Sequence, residues 1–138
     1  MSKRLVVLLC ISMLALASLL FGAEHLQYAL AGGLPLGNLV AAIGLVAAAW
    51  AALGLLPRRG PGRLIGVSAL LVALAWLPVS IALAGNLALV FSGWRGDAWM
   101  ALTAATLALV LCVLAASLLW VGYARWRLSR NARQVRIL

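Results

Sequence analysis

The residues able to do acid–base or ligand chemistry are few and sit close together. Of 138 residues one is histidine and two are acidic. The histidine, His25, follows one of the acids, Glu24, in "LFGAEHLQY" at the end of an apolar run, with Tyr28 three residues on. The other acid, Asp97, stands two residues before Trp99 in "RGDAWM". A carboxylate beside an imidazole that titrates near neutral pH can bind a cation, hydrogen-bond a quinone headgroup or contact a partner protein. Glu24, His25, Tyr28, Asp97 and Trp99 are therefore the candidate site. The plainer reading of the same residues is an ion pair such as Glu24 with Arg95, closing one end of a helix bundle beside a hydrated histidine.

Much other chemistry has no residues to carry it. One histidine and two acids supply no serine–histidine–acid set, phosphate loop or metal-ligand cluster. The apolar runs lack the paired histidines that hold a haem between helices. Every charged residue falls at or beyond the end of an apolar run, so the sequence offers no buried carboxylate for a proton-coupled exporter. The polar groups within the runs are Ser12, Ser18, Ser68, Thr103, Thr106 and Ser117. No catalytic residue, metal or cofactor is expected, and a quinone is the one cofactor the outer cluster suggests.

The elements that must position these residues follow from composition. With 67% hydrophobic and 9% charged residues and a mean hydropathy of +1.15, the chain is far more apolar than a soluble domain. Crossing about 30 Å of hydrocarbon takes about 20 apolar residues in a helix. Four stretches meet or approach that length, at 5–22, 39–56, 64–84 and 98–123. The expected fold is all-α: a polytopic membrane protein with four antiparallel spans in residues 1–124 and a basic tail at 125–138. The third run continues through "GNLALVFSGW", and its outer part is expected to leave the membrane near Gly85 and Asn86. "PRRGPGR" forms a tight turn that makes the second and third spans antiparallel neighbours.

Charge sets the orientation. Lys3 and Arg4 precede the first span, Arg58, Arg59 and Arg63 lie between the second and third, and Arg125, Arg127, Arg130, Arg133 and Arg136 follow the fourth. Only Arg95 of the eleven basic residues falls on the other side. By the positive-inside rule both termini are cytoplasmic, and the chain is expected in a bacterial inner membrane. The net charge of +9 is thus a topology signal, and no nucleic-acid partner is expected. The first span also resembles a signal peptide, with Ala15-Leu16-Ala17 as a cleavage site, but the apolar run continues to Gly22 and retention is the expectation. Trp94 and Trp99, with Phe21 and Tyr28, mark the outer interface, and Trp120, Tyr123 and Trp126 the inner one. The five tail arginines are expected on anionic lipid headgroups.

Lipid supplies no hydrophobic force between helices, so small residues must let them approach. Gly44, Ala48 and Ala52 form such a stripe on the second span, and Ala104, Ala108, Cys112 and Ala116 on the fourth. Both stripes are expected to face the bundle interior, and either supports pairing with a second copy or with a larger subunit. Cys10 and Cys112 lie inside apolar runs and are expected to be reduced packing residues. Pro78 is expected to kink the third span and to free carbonyls that Ser80 or a neighbouring helix satisfies.

"FGAEHLQYALAGGLP", then "LVALAWLPVSIALAG" and "RGDAWMALTAATLALVL", together resemble the DoxX-like family of small four-helix membrane proteins. Phe21, Gly22 and His25 match its Phe-Gly…His segment, Leu77 and Pro78 its Leu-Pro, and Asp97 with Trp99 its outer aspartate and tryptophan. The position before Leu77, often histidine in that family, is Trp76 here. The resemblance implies a four-helix inner-membrane protein and, for some members, a link to quinone-dependent thiosulfate oxidation or to thiol and oxidative stress. Three functional expectations result. The first is a non-catalytic accessory or scaffold subunit of a membrane complex. The second is a DoxX-like subunit of a quinone-linked redox enzyme, with the headgroup near His25 and Trp99. The third is a small transporter or flippase whose path follows the small-residue stripes.

Overall fold

A computed structural model describes residues 3–21, 26, 28–57 and 60–135, with the backbone alone for 19, 20, 31 and 131–135. It contains four helices, α1 (Lys3–Leu20), α2 (Leu36–Leu55), α3 (Pro61–Ala84) and α4 (Trp94–Val135), and a 3-10 turn at Ala31–Gly33 before α2. No strand occurs among the described residues, only an isolated bridge between Ala29 and Pro35. Three of the helices, α2, α3 and the Trp94–Arg130 portion of α4, are long and apolar enough to cross a membrane.

Local chemistry sets the ends. Pro35 caps α2, where its missing N–H costs nothing, and the Asn38 amide returns to its carbonyl. Pro61 opens α3 behind Gly60, and Gly85 closes it in the left-handed conformation (φ 72°), its amide donating to the Ile81 carbonyl. The chain therefore leaves the helix at Gly85, as the Gly-Asn pair in the long third run predicts. Asn86 then staples the loop: its amide nitrogen donates to the carbonyls of Ala84 and Val90, and its oxygen accepts the Val90 amide.

α2 is the hub. It packs against each of the other three helices, α3 and α4 also pack on each other, and α1 packs on α2. Its buried residues Ala42, Gly44, Leu45, Ala47, Ala48, Ala49, Ala51 and Ala52 cover most of its circumference. Ile43, Trp50 and Gly54, at about two- and one-turn spacing, form its exposed strip. Small size is required here, because a Cβ on Gly44 would stand 2.7 Å from the Ala15 Cβ of α1. One on Gly66 of α3 would stand 2.9 Å from Leu56 Cδ1. The expected α2 stripe of Gly44, Ala48 and Ala52 is thus the interior one.

One expectation about α4 changes, and its helix extends beyond the apolar run. Ala104, Ala108, Cys112 and Ala116 are exposed, and the buried face carries Thr106, Val110, Val113 and Ser117. The cause is the division of labour: α2 already contributes the small residues, so α4 meets it with β-branched side chains that fill the space above alanine. The helix also does not stop at Tyr123. No glycine or proline interrupts residues 123–135, and Trp126 ties successive turns together, with Tyr123 at 6.0 Å between ring centroids and the Arg130 guanidinium 4.5 Å above its ring. Forty-two residues at about 1.5 Å each give a rod about 63 Å long. It is twice the length that hydrocarbon requires, so the basic segment continues the helix beyond its apolar part.

Gly44→Val should lower stability in detergent by about 1–3 kcal/mol, because the added methyls must push α1 off α2. Ala108→Val, on the exposed face, should change it by less than about 0.5 kcal/mol. Thermal or denaturant unfolding of the two variants measures both.

Candidate functional site

Four polar side chains, Trp76, Ser80, Trp99 and Thr103, form a clamp between α3 and α4. Trp76, 2% exposed, points from α3 across to α4 and donates its indole N–H to Thr103 Oγ1 at 3.1 Å. In the opposite direction Trp99 of α4 donates its N–H to Ser80 Oγ at 3.1 Å. Ser80, fully buried, donates in turn to the Trp76 carbonyl at 2.7 Å. The three bonds form one chain, Trp99 to Ser80 to Trp76 to Thr103, that crosses the helix pair twice. An indole has one donor and must find a partner when buried. Hydroxyls, which both donate and accept, supply it.

The clamp accounts for the residues around Pro78. α3 remains one continuous helix through it, although proline lacks the N–H for the carbonyl four residues back. Ser80 bonds the Trp76 carbonyl, two residues on from the one Pro78 leaves without its usual donor. Trp76 belongs to the main apolar cluster with Ala42, Leu45, Ala48, Ala49, Ala73 and Val110. Sequence reasoning missed Trp76 as a structural donor. The available signal was its spacing of four residues from Ser80 on one helix face.

Three residues of the candidate cluster, Tyr28, Asp97 and Trp99, fall among the described residues. Glu24 and His25 lie outside the described residues. Tyr28 is exposed, and its carbonyl accepts the Leu36 amide at the entry to α2. Asp97 is exposed in the first turn of α4, where a carboxylate complements the helix dipole. Trp99 faces inward, stacked on Phe91 at 5.0 Å between centroids with its N–H given to Ser80, so it belongs to the clamp. Arg95 reaches back over the end of α3, its Nη1 lying 3.9 Å from where a Cβ on Gly85 would be. There a cation offsets the carbonyl end of the dipole. The loops before α2 and after α3 also meet: Gly32 (φ 79°) leaves only 2.6 Å between a would-be Cβ and Leu87 Cδ1, and Gly33 packs on Ala88.

A cleft of about 200 Å³ opens between α1 and α4. Met13 and Leu16 form one wall, Leu107, Leu111 and Leu114 the other, with Gly44, Ala48 and Trp76 at its floor. Its few hydroxyls are already used: Ser12 donates to the Leu9 carbonyl and Thr103 accepts from Trp76. Among the described residues no group of histidine, cysteine, aspartate or glutamate side chains is placed to hold a metal ion. Cys10 and Cys112 are free thiols on exposed surfaces. At the other end of α4, Arg125, Arg127 and Arg130 are exposed along the continued helix. The side chains of Arg133 and Arg136 lie outside what is described.

A double-mutant cycle on Trp76→Phe and Thr103→Val should give a coupling of about 0.6 kcal/mol, up to about 1.7, as inter-helix hydrogen bonds in membranes do. Unfolding midpoints of the two single variants and the pair, in one detergent, measure it.

Comparison of the chain with protein-family models, with curated proteins and with solved structures found no match.

Proposed function

We propose that the chain is a four-span protein of a bacterial inner membrane, with both termini cytoplasmic, and that it serves as a non-catalytic accessory or scaffold subunit of a membrane complex. The observation that carries this is the use of its polar groups. Trp76, Trp99, Ser80 and Thr103 hold α3 to α4, and Ser12 and Ser117 bond carbonyls of their own helices. The outward surface is left with apolar and small side chains. Ala104, Ala108, Cys112 and Ala116 form an exposed smooth strip on α4, of the kind that lets another membrane helix approach closely.

α1 supplies the fourth span in this reading. It is an 18-residue apolar helix, antiparallel to α2, with Leu5 beside Gly54 at one end and Ala15 beside Gly44 further along. The orientation follows from the basic residues at the Lys3, Arg63 and Arg125 end of the helices. A DoxX-like relationship is compatible with the four-helix plan. The quinone-linked alternative would place a headgroup near His25 and Trp99, but the Trp99 N–H is already donated to Ser80. The accessory reading is therefore preferred.

Gentle detergent extraction of the tagged chain from its native membrane, read by mass spectrometry, should recover a defined membrane partner. Ala108→Leu should reduce that recovery severalfold while leaving the unfolding midpoint of the isolated chain unchanged. A chain that purifies with a stoichiometric redox cofactor of its own, or partner recovery unaffected by Ala108→Leu, would contradict the proposal.

A further inference from the structure

The cleft between α1 and α4 exists because both helices pack on α2 while Met13 and Leu16 stand apart from Leu107 and Leu111. Its lining is apolar, and such cavities do not hold water. Within a membrane its occupant must come from the hydrocarbon. A helix is about 10 Å across with its side chains and is too broad for a cleft of about 200 Å³. An alkyl chain is not.

The charges above the cleft, toward the basic end of the helices, identify which chain. Arg125 follows Leu107 by eighteen residues and Leu114 by eleven, about five and three turns, so it lies on the cleft-facing stripe of α4. Arg4 precedes Ala15 of the facing wall by eleven residues, again about three turns. Both arginines are exposed, and along their helices Arg4 stands about 12 Å from Ser12 and Arg125 about 16 Å from Leu114, the cleft-lining residues nearest each. Those distances approach half the hydrocarbon thickness of about 30 Å. Side chains on a helix lean toward its N-terminus, so Arg125 leans back toward the cleft. Two cations at headgroup depth, above an alkyl-sized slot at mid-bilayer depth, complement a phosphate joined to a long chain.

We propose that this seam is a binding site for an anionic phospholipid of the leaflet at the basic end, with one acyl chain in the cleft and the phosphate between Arg4 and Arg125. The site rests on the membrane placement proposed above. It goes beyond general adhesion of the basic segment to headgroups, because it selects Arg125 over Arg127. Arg127 lies about 200° further round the helix and faces away from the seam.

The test adds phosphatidylglycerol, or phosphatidylcholine with the same acyl chains, to the detergent-purified full chain and follows the unfolding midpoint and native mass spectra. Phosphatidylglycerol should raise the midpoint by several degrees more than phosphatidylcholine and should appear as one retained lipid per chain. Arg125→Ala should abolish that difference, and Arg127→Ala should keep it. Leu111→Trp and Met13→Trp, which fill the cleft from opposite walls at exposed positions, should each abolish lipid retention. Equal shifts from the two lipids, or retention that survives both tryptophan variants, overturns the site. Alkaline carbonate extraction of membranes checks the placement separately. A chain that stays in the washed membrane yet fails the lipid test keeps its spans and loses the site.

Discussion

The structure depends on how closely α2 lets other helices approach. In hydrocarbon no solvent drives apolar side chains together, so packing comes from contact itself. Contact between three helices and a fourth requires a central helix with almost no side chain. α2 meets that requirement with Gly44 and a run of alanines, of which Ala49, Ala51 and Ala52 are fully buried. Larger side chains there would hold α1, α3 and α4 apart, and everything outside α2 is arranged around its narrowness. α3 presents Gly66, Ala69 and Ala73 to the assembly, and α4 presents Val110 and Val113.

The clamp of Trp76, Ser80, Trp99 and Thr103 is the second layer of this construction. Dispersion contacts are non-directional and leave helix rotation weakly fixed, whereas four polar groups that must each find a partner fix one register between α3 and α4. The clamp also explains how the chain carries a buried indole, a half-buried one and a buried serine at little cost. No side-chain nitrogen or oxygen buried among the described residues lacks a hydrogen-bond partner. α1 rests on α2 by close contact, as the Ala15–Gly44 approach illustrates. The cleft at the α1–α4 seam is therefore a consequence of the hub: two helices share α2 without closing on each other.

Much of this was legible in the sequence, and the parts that were not share a cause. Apolar runs and basic clusters located the helices, and Pro35, Pro61 and Gly85 set ends within a few residues of those expected, because these residues restrict the backbone locally. Where the α4 helix ends could not be read from the sequence, because arginine marks a hydrocarbon boundary and does not break a helix. The interior face of α4 was misread because alanine is so abundant that several stripes share the same spacing. Only the partner, α2, determines which face is covered. Of the candidate cluster, Glu24 and His25 lie outside the described residues, and Tyr28 and Asp97 are exposed. The inward turn of Trp99 depended on Ser80, nineteen residues away, and could not be read from either residue alone.

The central claim is that α2 is shared by α1, α3 and α4 while α1 and α4 stay apart. Cysteine cross-linking in native membranes tests it most directly, after Cys10 and Cys112 are replaced by serine. Single cysteines on α1 near Ala15 should cross-link to positions on α2 near Gly44 and fail to do so with positions on α4 near Leu111. Efficient α1–α4 linkage with loss of α1–α2 linkage would mean a closed ring of helices, and would contradict both the hub and the seam that depends on it.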